Sequence, residues 1–107
     1  MKELEIFNYH GYKAQCKQLN EEVYEFIEAI YDLAMVNDYK CETDLGKFIQ
    51  NRNKNNAIDE LADVLLLLNQ FVRKYDLSEK EIINHYRTKR KRELKRIGDG
   101  FYENKNN

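Results

Sequence analysis

The chain of 107 residues has no proline and only four glycines. So few breakers and turn formers exclude a sandwich or barrel and favour long, uninterrupted helices. Cysteine is scarce as well. Cys16 and Cys41 form no Cys-x-x-Cys pair, and neither has zinc-ligand spacing with His10 or His85. Free thiols in a reducing, cytoplasmic compartment are expected. Long apolar runs are missing too. The longest, Val64 to Leu68, is far too short to span a bilayer. Met1 to Ile6 lacks the apolar stretch of a signal peptide. Nor is there a charge excess of one sign. A net charge of −1 argues against a general polyanion binder.

What is present points to a globular helical chain, 42% hydrophobic and 35% charged. The length suits one domain over 1–107, with 98–107 as a loose tail. Charge is unevenly distributed. Residues 1–32 carry seven acids and three bases, whereas 73–97 carry ten bases and four acids. Such a split suits either separate cation- and anion-holding ends or merely two solvated faces.

Apolar residues at Leu19, Val23, Phe26, Ile27, Ile30, Leu33 and Ala34 predict a helix from about Gly11 to about Val36. Residues 2–9 are too brief a pattern to assign. Around Asn37 to Cys41 the chain reads as a connection. A short helix carrying Leu45, Phe48 and Ile49 follows, capped by Thr43 or Asp44. Polar residues 50–56 read as a loop or a frayed helix start. A strongly apolar helix spans about Ala57 to Tyr75. Asp76-Leu-Ser78 breaks the chain, and Ser78 with Glu81 forms a capping box for a basic helix ending at Gly98. The expected fold is therefore all-α, a bundle of about four helices. Leu66 lies opposite Val64 and Leu67, so the third long helix is apolar on more than one side. Completion by oligomerisation, as a dimer or tetramer, is the expected way to cover it.

Two acidic couplets stand on these helices: Glu22 with Glu25, and Glu60 with Asp63. A spacing of three puts both members of a couplet on neighbouring positions of one face. Glu22 falls on the edge of the apolar stripe, with Glu25 about 60° further round. Glu60 lies within about 40° of Val64, Leu67 and Phe71, so it points into an apolar arc. A buried carboxylate needs a partner. Four converging carboxylates call for positive charge, which hard divalent cations supply. The plainer reading, acids decorating a helix N-terminus, suits Asp59 better than Glu60.

At these residues the chain resembles the MazG-type all-α nucleoside triphosphate pyrophosphohydrolases. The motifs of that family, E-x-x-E and E-x-x-D, read here as Glu22-Val-Tyr-Glu25 and Glu60-Leu-Ala-Asp63. Gln18-Leu19, Ala29-Ile30 and Val64-Leu65 also fit. The resemblance implies that Glu22, Glu25, Glu60 and Asp63 bind Mg²⁺, with Mn²⁺ as a substitute. It further implies attack of an activated water on the α-phosphorus of a nucleoside triphosphate, giving a monophosphate and pyrophosphate. The connection between the motifs, residues 26–59, is longer than in many members. Its extra length, 38–56, reads as an inserted short helix or a lid over a base.

Residues 87–96 hold seven bases. Lys89 and Arg92 share a helix face that Arg96 extends, and these three are the candidates for the distal phosphates. Phe101 and Tyr102 are placed to fold over a base or to pack on a neighbouring chain. The competing reading is a non-catalytic module that uses 87–96 to bind nucleic acid or a second chain. That partner is disfavoured by the net charge and by the absence of a recognition motif. Divalent metal separates the two readings, because only clustered acids should be stabilised by it.

Overall fold

The structure, a computed structural model, describes residues 2–38 and 42–103. Four helices occur among them: α1 (Lys2–His10), α2 (Tyr12–Asp38), α3 (Asp44–Lys74) and α4 (Glu79–Gly98). No strand is present among the described residues. None of these helices is long and apolar enough to cross a membrane. The expected connection around Cys41 lies outside the described residues. Cys16 is an exposed free thiol. Two compact units result, Met1–Lys74 and Tyr75–Asn107.

In the first unit α2 and α3 form a long antiparallel hairpin. Gln15 bonds to Gln70 at one end, and Gln50 to Asn37 at the other. The seam runs along Leu19, Glu22, Phe26, Ala29 and Leu33 of α2, which are buried or half-buried at alternating steps of four and three. Facing them on α3 are Ala57, Glu60, Val64, Leu67 and Gln70. This corrects the expected stripe. Val23, Ile27 and Ile30 are exposed at 37%, 45% and 41% and form a second apolar face. Small Ala29 and Ala57, both buried, allow the helices to approach there, so the seam settles on them instead of on the bulkier stripe.

The loop expected at 50–56 is also corrected: α3 runs through it without interruption, and the short helix at 45–49 is its first turns. Thr43 is the cap, its Oγ1 accepting from Gly46 N at 3.0 Å. The polar segment holds no proline or glycine to stop propagation, and Asn53 reaches the carbonyl of Asp32. The extra length between the motifs thus lengthens the hairpin, and the described part of it forms neither a separate helix nor a lid.

Gly11 joins α1 to α2 with φ +84°. Its N–H donates to the Phe7 carbonyl at 2.8 Å while its own carbonyl accepts from Gln15 N at 3.1 Å. It therefore ends one helix and starts the next. The turn lays α1 on the hairpin. Phe7, 2% exposed, meets Phe71 edge to face at 5.2 Å. Lys74 Nζ donates to Asn8 Oδ1 at 2.7 Å.

The second unit holds α4, which Ser78 caps by accepting from Glu81 N at 3.2 Å. After Gly98 the chain turns back on the helix. Phe101 N donates to the Arg96 carbonyl, and Tyr102 Oη donates to Glu93 Oε2 at 2.8 Å.

Candidate metal centre and the adjoining cavity

Each acid of the two couplets owes its position to the hairpin. Antiparallel pairing sets Glu25 against Glu60 and Glu22 near Asp63. One carboxylate oxygen each from Glu22, Glu25 and Glu60 lies within 4.8 Å of the others. A second triplet at the same spacing comprises Asp59, Glu60 and Asp63. Glu60 is common to both, so all four sequence candidates meet around it. The helix-terminus reading of Asp59 is corrected: α3 begins at Asp44, so Asp59 lies inside the helix, about four turns from its start, and joins the cluster as the neighbour of Glu60.

Burial follows the helical wheel. Glu22 and Glu60 are half-buried in the seam, and Glu25 and Asp63 are exposed. Glu22 Oε1 accepts from Gln18 Nε2 at 2.7 Å. The other oxygen, Oε2, is buried and accepts no hydrogen bond from the described residues, and the same holds for Glu60 Oε2. Burial pushes the Glu22 carboxyl above its ordinary value of 4.5, with the charges of Glu25 and Asp63 adding to the rise and the Gln18 bond opposing it. Two buried acceptors without donors, among like charges, form an arrangement that a divalent cation would satisfy. The donor set is all oxygen, the chemistry of hard cations.

A cavity of about 320 Å³ opens from this cluster, with Glu22 and Asp63 in its wall. Two further members of that wall are Gln15 and Gln70, 4% and 1% exposed and hydrogen-bonded to each other. Sequence reasoning missed both, since a lone glutamine on a helix reads as solvated. The available signal was their position, seven residues from Glu22 and from Asp63 along the same helix faces.

The three basic candidates lie in the second unit. Lys89 and Arg92 line one shallow cavity with Thr88 and His85. Arg96, about one turn further along α4, does not line that cavity, and its guanidinium lies 5.2 Å from the Phe101 ring centroid.

Comparison with known proteins adds one match. The MazG nucleotide pyrophosphohydrolase domain matches residues 10–96, which include both couplets and most of α4. The chain belongs to the MazG family. Membership agrees with the all-α hairpin, and MazG proteins are metal-dependent, as the acidic cluster suits. It carries the expectation of nucleotide pyrophosphohydrolase activity. Searches of curated proteins and of solved structures gave no match. All of α1 but its last residue lies outside the MazG match, yet it supplies Ile6 to the cavity wall, beside His10 at the edge of the match.

Proposed function

We propose that this chain is a Mg²⁺-dependent nucleoside triphosphate pyrophosphohydrolase, with Glu22, Glu25, Glu60 and Asp63 as its metal ligands and catalytic acids. The observation that carries this reading is the pair of donorless buried oxygens, Glu22 Oε2 and Glu60 Oε2, inside a cluster of carboxylates. When bound, Mg²⁺ neutralises triphosphate charge and lowers the pKa of a water. The chain's own part is positional. The seam holds Glu22 and Glu60 at fixed height, Gln18 orients Glu22, and the exposed Glu25 and Asp63 face arriving substrate. In the net reaction a water oxygen bonds to the α-phosphorus, the bond from that phosphorus to the bridging oxygen breaks, and pyrophosphate leaves. Lys89, Arg92 and Arg96 are proposed as contacts for the distal phosphates, with Arg96 the weakest candidate because its charge already faces Phe101.

The reading includes a homo-oligomer, dimer or tetramer. Ile27, Tyr31, Leu61, Leu65 and Leu68 are all exposed, more apolar surface than one hairpin leaves uncovered without reason.

Product analysis tests the reaction. Wild type and Glu60→Gln are incubated with a panel of ribo- and deoxynucleoside triphosphates and Mg²⁺ or Mn²⁺. Monophosphate and pyrophosphate from wild type alone are expected. Equal turnover by Glu60→Gln would remove this site from the reaction.

A further inference from the structure

We propose that the cavity beside the acidic cluster takes the nucleoside half of the substrate, and that Gln15 and Gln70 read the hydrogen-bonding edge of its base. The inference rests on the reaction proposed above and adds the residues that select the nucleotide.

Position comes first. Gln15 stands seven residues before Glu22 on α2, and Gln70 seven after Asp63 on α3. Seven residues are about two helical turns, or about 10 Å, and return to nearly the same face. Because the helices are antiparallel, both steps lead the same way. The acids form one level of the hairpin and the amides another, and the Gln15–Gln70 bond joins the second level across the seam. Two turns is the reach from an α-phosphate, across a ribose, to the far edge of a base. The cavity spans both levels, having Glu22 and Asp63 at one and the amides at the other.

Its chemistry also fits. At about 320 Å³ it is at the lower end of small-ligand sites. Ile6, Ala14, Leu66 and Leu67 give it aliphatic walls for the faces of a flat ring. Polar groups converge at its floor. A buried amide pair is an expensive way to fill a seam that leucine would fill. Gln15 Nε2 donates to Gln70 Oε1. The pair then retains one acceptor, Gln15 Oε1, and donor capacity on Gln70 Nε2. An acceptor and a donor side by side match the amino and ring-nitrogen edge of adenine or cytosine in one order and the O6 and N1–H edge of guanine in the reverse order, whereas uracil, with a carbonyl on each side of its N3–H, matches either. The pair therefore separates adenine and cytosine from guanine.

The test is calorimetric titration of the whole chain, in Mg²⁺, with AMP, CMP, GMP, UMP and pyrophosphate. Wild type should favour either AMP and CMP over GMP, or GMP over AMP and CMP, by at least about tenfold, the value of one well-made hydrogen bond, with UMP bound like the favoured side. Replacing both amides together, Gln15→Met with Gln70→Met, leaves no unpaired partner and conserves volume. That variant should bind AMP, CMP and GMP alike and bind pyrophosphate as wild type does. If the double variant fails to fold, Ala14→Phe fills the cavity instead. It should weaken all four monophosphates and spare pyrophosphate. No preference in wild type between GMP and the other two, AMP and CMP, or a preference that survives the double replacement, overturns the inference and leaves the hydrolase intact. Absence of triphosphate turnover by wild type would overturn the hydrolase reading instead.

Discussion

At the residue scale the decisive groups are Glu22 and Glu60, acids that the seam half-buries and that each hold an oxygen without a donor. Mutual repulsion is greatest without metal. Saturating Mg²⁺ at about a hundredfold over its Kd should stabilise the folded chain by about 2.7 kcal/mol. Differential scanning calorimetry with Mg²⁺ and with chelator checks this, and Glu60→Gln should lose the shift together with turnover. The pH dependence has a definite sign. Folding raises the Glu22 pKa above 4.5, so the folded state holds this proton more tightly than the unfolded one. In chelator, Glu22 therefore favours folding below its unfolded pKa, and that contribution fades as pH rises through the raised folded value. Glu22→Gln should flatten this part of a melting profile taken from pH 4 to pH 7. A profile identical to wild type would show that Glu22 does not titrate in this way. Glu60 was legible in the sequence because it fell inside an apolar arc. Gln15 and Gln70 were not, because their burial depends on a partner helix that spacing alone does not place.

At the element scale the hairpin and its α1 cover determine where the site stands. Residues 50–56 discriminate between loop and helix. Lys54→Pro in a loop would cost little, but inside α3 it should cost about 3 kcal/mol or more. Urea denaturation with circular dichroism measures this directly. Gly11 is the other control point. An L side chain at φ +84° is strained, so Gly11→Ala should lose about 1 kcal/mol by the same assay. Because Gly11 aims α1, which walls the cavity with Ile6 and His10, the substitution should also weaken monophosphate binding. The helical character of Tyr12–Asp38 was readable from apolar periodicity. The continuity of α3 was not. Its asparagine-rich segment has weak intrinsic propensity, and α2 supplies the contacts that hold it helical.

At the scale of the whole molecule the hairpin presents an exposed apolar face. Val23, Ile27 and Ile30 belong to the apolar stripe by which the sequence marks this helix, yet they stand outside the seam in the single chain. A second copy would bury them, and sedimentation should find a dimer or tetramer. Leu65→Lys, placed among the exposed leucines of α3, should shift that equilibrium toward smaller species. A monomeric wild type that still hydrolyses triphosphates would detach oligomerisation from the reaction.

The sequence by itself determined the helical class, the two couplets and their order, and the cap at Ser78. These depend on local spacing and on side chains acting within one or two turns. Only the tertiary structure decided which helix faces meet. Antiparallel pairing of α2 with α3 turned two separate couplets into one cluster. Small alanines drew the seam away from the larger apolar stripe. The same pairing buried two glutamines beside the acids, because a residue's surroundings come from the opposite helix and not from its own neighbours in the chain.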